Sequence, residues 1–156
     1  MNFARVIRLD DTDENVFDTA ADAGEWAIPG TFEFSNWTEA ELEGKSRQAF
    51  AHGWLGLGSF GRASVVAVAP ITEAERAQLT DRLAAYFVDA WGAPNLEAAW
   101  PVADEEIRHM AGMCSEQEQN ALMVIERELT EAGVKERLRI VPPQGASLEA
   151  FAVHGD

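Results

Sequence analysis

A chain of 156 residues that is 47% hydrophobic and 25% charged has the size and balance of one ordinary globular domain, which excludes global disorder. Its formal net charge of −15 repels a phosphate backbone, so nucleic acid is not an expected partner. No apolar run nears the roughly 20 residues that cross a bilayer, the N-terminus lacks a secretory pattern, and the lone Cys114 has no internal partner; together these predict a cytoplasmic protein without membrane contact.

The charge is uneven. Eleven acids and no Lys or Arg fall between Asp10 and Glu43, which serves solubility and also offers a face to a basic partner. Before that stretch, Phe3 to Leu9 alternates as a first strand, with Val6 on one face and Phe3, Ile7 and Leu9 partly elsewhere. Asp10 to Gly24 reads as an acidic loop anchored by Val16 and Phe17. Trp26, Ala27 and Ile28 lead into a Pro29-Gly30 turn, after which Thr31 to Phe34 alternates as a short strand would. Thr38 and Glu41 form a capping box that predicts a helix over 38–51, although Gly44 weakens it.

The stretch from Arg62 to Trp91 organises the rest. Residues 64–69, rich in valine and stopped by Pro70, fit a strand with both faces covered. Thr72 and Glu75 then cap a helix whose Leu79, Leu83, Tyr86, Phe87 and Ala90 recur at helical spacing, ended by Gly92 and Pro94. Residues 96–113 read as one helix or two, with Pro101 favouring a start at Val102, and Val102, Ile107, Met110 and Met113 as apolar positions. Residues 121–125 and 134–141 predict a hairpin turning at Thr130 to Gly133, with Leu138 and Ile140 inward and Arg137 and Arg139 outward; a helix over 122–129 competes. The expected architecture is α+β: a single domain over 1–143 with a mostly antiparallel sheet and two or three helices packed on one side, then a loosely held tail over 144–156.

Chemistry-bearing motifs are sparse. Gly56-Leu57-Gly58-Ser59-Phe60-Gly61 matches a dinucleotide fingerprint in letters, yet a strand follows where the fingerprint needs a helix, so a glycine-rich connection is the expected reading. With Trp54 beside them, Gly56, Gly58 and Gly61 remain candidates for close backbone approach to a ligand or partner. Asp11, Asp13, Asn15 and Asp22 have part of a calcium-loop spacing without its turn glycine, and a solvated acidic loop is preferred. Glu106 and His109 form a single Glu-x-x-His pair on one side of a helix, where di-metal bundles need two pairs. Cys114 lies near the end of the same helix without a CxxC partner. No cofactor and no metal are expected. Five tryptophans suit core and boundary packing, or a contact surface if several share an exposed face.

With Val6 to Asp10, Gly24 to Gly30, the segment from Gly53 through Ala63, and Ile125 to Leu129 in view, the chain resembles a family of small bacterial proteins classed as a domain of unknown function. The resemblance runs to about Val141. It implies a complete single domain of bacterial type and carries no activity, cofactor or catalytic residue. The functional expectation is a non-enzymatic binding or accessory protein that contacts another protein or a second copy of itself. The alternative is a small-molecule or metal-dependent binding protein or enzyme with its site near Gly53 to Gly61 or at Glu106 and His109.

Overall fold

The computed structural model describes residues 1–8 and 12–143. A four-stranded antiparallel sheet runs in the order β1 (Asn2–Ile7), β5 (Val65–Pro70), β6 (Leu122–Thr130), β7 (Gly133–Val141). A smaller antiparallel sheet joins β2 (Ala27–Ile28), β3 (Trp54–Gly56) and β4 (Arg62–Ala63). Four helices complete the described residues: α1 (Thr12–Val16), α2 (Gly44–His52), α3 (Glu73–Trp91) and α4 (Leu96–Ser115). The α+β class is therefore as read from the sequence. Helices α3 and α4 pack on each other, α4 also meets β1, and α2 meets β6.

The valine-rich strand β5 lies in the middle of the sheet, with Val6 opposite Val66 on one side and Met123 opposite Val66 on the other. Val66 and Val68 are buried, while Val65, Ala67 and Ala69 stay half-buried, so only one face is fully covered. The capping box at Thr72 and Glu75 forms, and Gly92 closes α3 at φ +76°. The β6–β7 hairpin pairs Thr130 with Gly133, and its long register rules out the competing helix.

Five local expectations are corrected. The acidic loop contains the short helix α1, and Phe17 after it is buried, as an anchor should be. Phe3 is fully buried against Trp26. Thr31–Phe34 is a 3₁₀ turn, because Gly30 at φ +66° turns the chain where an added Cβ would lie 2.5 Å from the Leu55 Cβ. The Thr38 box caps only the 3₁₀ turn Glu39–Glu41, since Gly44 takes φ +53° and α2 starts anew there. Helix α4 runs through Pro101: the proline leaves one carbonyl, that of Glu97, without its usual donor, on a first turn exposed to solvent. No helix among the described residues is long and apolar enough to cross a membrane. The expectations for Leu9 and for the 144–156 tail fall outside the described residues.

Candidate functional site

Two arginines are buried where the small sheet meets the large one. Strand β6 alternates Met123, Ile125 and Arg127 toward the core, so the register carries a guanidinium inward where an aliphatic residue is usual. Arg127 donates to the carbonyls of Phe50 and Gly53, each at 2.9 Å, and Pro29 at 2.6 Å, and its Nε reaches Thr31 Oγ1 and Glu136 Oε1, each at 3.1 Å. Arg62, from β4, donates to Pro29, Gly53 and Gly30 and pairs with Glu33.

The carbonyls of Pro29 and Gly53 each accept one N–H from both arginines, and Phe34 lies under both, 4.5 Å from Arg62 and 5.0 Å from Arg127. Carbonyl oxygens and a π face thus supply the negative potential that two like charges need in a dry interior. Burial, and Arg62 beside it, still pull the Arg127 guanidinium down to about 10, which leaves it charged at neutral pH. Burial also lowers Arg62, against the opposing pull of Glu33. Tyr86 donates to the other oxygen of Glu33, and burial followed by that bond pushes its hydroxyl up to about 12.

The glycine loop has its own anion. Glu25 accepts from the backbone N–H of Gly58 at 2.8 Å and of Ser59 at 2.7 Å, and from the Ser59 hydroxyl at 2.7 Å. A Cβ on Gly56 would lie 2.5 Å from Glu25 Oε1. The loop therefore does what phosphate-cradling loops do, with a carboxylate of the same chain as the guest. Trp54 is wholly buried, and its indole N–H has no hydrogen-bond partner among the described residues.

Burial pushes the Glu25 carboxyl up, but the Ser59, Asp22 and Gly58 bonds outweigh it and hold it below its ordinary 4.5. A group depressed in the folded state stabilises above its unfolded value and loses that contribution as pH falls through the folded one. Glu25→Gln is accordingly expected to be less stable than the wild type at neutral pH, with the gap closing as pH falls below the ordinary carboxyl value of 4.5. A pH series of urea titrations reads this, and a gap that is constant with pH contradicts it.

Glu106 and His109, one turn apart on α4, do share a cleft, of about 440 Å³, with Thr31, Ser35 and Glu136 and apolar walls from Pro29, Phe32 and Val134. Burial first, then the charges of Glu105 and Glu136, raise the Glu106 carboxyl, against the opposing charge of His109. Glu106 makes no hydrogen bond within the described residues, whereas Glu136 is held by Arg127 and Thr31. The other motifs are absorbed by the fold. Asp13 accepts from the Ser64 backbone and hydroxyl in place of a cation, and Asp11 lies outside the described residues. Cys114 is buried, and burial pushes its thiol up to about 12, which removes it as a nucleophile. His52 Nδ1 lies 3.2 Å from the Ile125 carbonyl, and His52 is not among the residues lining the cleft at His109. Among the described residues no group of three or more His, Cys, Asp or Glu is arranged to hold a metal ion.

Sequence reasoning missed Arg62, Arg127, Glu33 and Glu136. The inward register of Arg127 was visible in the alternation of β6; the carbonyls it donates to, from 74 to 98 residues away in the chain, were not. No curated protein and no solved structure matches the chain. A family model described as a family of unknown function, DUF6505, matches residues 1–156, past the Val141 limit of the resemblance, and the chain belongs to that family.

Proposed function

We propose that this protein is a non-enzymatic accessory module that works by contact with another protein, through the tip of the α3–α4 hairpin. The buried stripe of α4, Cys114, Met110, Ile107 and Ala103, with Ala99 beside it, runs on at helical spacing toward the N-terminus as Trp100 and Leu96. There the stripe comes into solvent: Leu96 is 56% exposed, Trp100 44%, and Trp91 at the end of α3 49%. That exposed apolar tip is the observation that carries the reading, since tryptophan and aliphatic anchors outside a core are what binding surfaces concentrate.

The surround supports a basic partner. Asp81, which accepts from the Trp100 indole N–H at 3.1 Å, together with exposed Asp89 and Glu97, rims the tip with negative charge. The occupant is a protein segment with apolar anchors flanked by Lys or Arg. A Leu/Lys amphipathic peptide is expected to bind and shift tryptophan emission to the blue, a Leu/Glu peptide of the same pattern is not, and Leu96→Ser with Trp100→Ala weakens binding at least about 30-fold with unchanged melting. Equal binding of both peptides, or full affinity in the double variant, overturns the proposal.

A further inference from the structure

The geometry points to a second site, which shares only Trp91 with that tip, for an aromatic zwitterion of amino-acid size. A cleft of about 290 Å³ opens where the segment after α1, the 3₁₀ turn at Thr31–Phe34 and the first turns of α2 come together. Phe17 and Phe34 form its buried aromatic walls, and Trp37, Phe60 and Trp91 present half-buried or exposed rings to it. Its volume falls at the lower end of the roughly 300–1,000 Å³ of ligand pockets, which suits a single-ring compound stacked on or edged against those rings.

The charges select the ligand further. Glu33 and Arg62 at the cleft are paired with each other, and Glu33 also accepts from Tyr86, so they add no net charge. Two unpaired side chains remain, Asp18 and Lys45. Neither makes a hydrogen bond or an ion pair within the described residues, and they do not close on each other although both line this cleft. Lys45 and Ser46 belong to the first turn of α2, where the helix dipole also favours an anion. A carboxylate at Lys45, an ammonium at Asp18 and a ring between the aromatic walls satisfy all three features at once. A simple anion leaves Asp18 facing like charge, and a simple cation does the same for Lys45.

The test uses the full chain at physiological salt, with amide chemical shifts as the readout and three probes: L-phenylalanine, phenylacetate and 2-phenylethylamine. L-Phenylalanine is expected to saturate shifts around residues 18–19, 34–37 and 45–46, about two- to fivefold tighter than either singly charged analogue. Lys45→Met should weaken L-phenylalanine and leave 2-phenylethylamine no weaker than before. Asp18→Asn should weaken L-phenylalanine and leave phenylacetate no weaker than before. Both positions are on the surface, so folding is preserved and unchanged melting checks it. Absence of saturation, equal affinity for the three probes, indifference to both substitutions, or shifts centred on Glu106 and His109 each overturn the inference. Leu96→Ser with Trp100→Ala leaves this binding intact, which separates its failure from that of the hairpin tip.

Discussion

Arg127→Ala is expected to lower stability by about 3–5 kcal/mol, the range for removing one partner from a buried charged network. The side chain has no solvent exposure, so nothing in water replaces what it gives. Its loss leaves the Phe50 carbonyl near the end of α2 without the donor that now meets it, and leaves Glu136 with Thr31 alone as a hydrogen-bond partner among the described residues. Pro29 and Gly53 keep one donor each from Arg62, which is why the loss stops short of unfolding the junction altogether. At about 2–4 °C per kcal/mol for a chain of this size, the melting temperature should fall by about 6–20 °C. Lysine does not rescue it, because one ammonium with three donors cannot span acceptors that a planar five-donor fork reaches together. Urea unfolding of Arg127→Ala and Arg127→Lys checks both parts. A loss near 1 kcal/mol would mean that the carbonyls find water, and that the two arginines do not hold the sheets together.

What was legible in the sequence was local. The box at Thr72 and Glu75 involves residues three apart, and it formed as read. The box at Thr38 and Glu41 also formed, but it caps a single 3₁₀ turn, because the positive φ of Gly44 breaks the path into α2. Thr31 to Phe34 alternates like a strand and is not one. The carbonyls of Pro29 and Gly30 just before it are taken by Arg62 and Arg127 and are therefore unavailable to a ladder. Tertiary hydrogen bonds overrode a local pattern. The cleft shows the same division. Glu106 and His109 were visible as a helical pair, whereas Glu136 and Thr31 reach it from a hairpin and a turn whose positions depend on the whole sheet. The Gly56 to Gly61 loop leads into strand β4 and not into a helix, and that order alone separates it from a nucleotide site. Its actual guest, Glu25, is 33 residues from Gly58, and no spacing rule connects them.

Gly61→Ala and Gly112→Ala make the same chemical change and are expected to act with opposite sign. A Cβ on Gly61 would lie 2.7 Å from the Ala20 carbonyl carbon and 2.8 Å from its oxygen and from the Ala21 nitrogen, all backbone atoms. That backbone cannot retreat cheaply. It is bonded on both sides of the contact, Arg62 N–H to the Thr19 carbonyl at 2.8 Å and Ala21 N–H to the Arg62 carbonyl at 2.9 Å, the bridge that positions Arg62 itself. Relief of the clash must stretch this bridge, so the cost combines overpacking with weakened hydrogen bonds, about 1–3 kcal/mol, with any excess attributable to the displaced guanidinium. A Cβ on Gly112, within α4, meets nothing within 4 Å. There alanine removes only the conformational freedom that glycine gives the unfolded chain, and the expected gain is about 0.4–1 kcal/mol. Differential scanning calorimetry of the two variants decides it. If Gly61→Ala is neutral, the segment from Thr19 to Ala21 does not clamp Arg62, and the arginine junction must be held by its carbonyl acceptors alone.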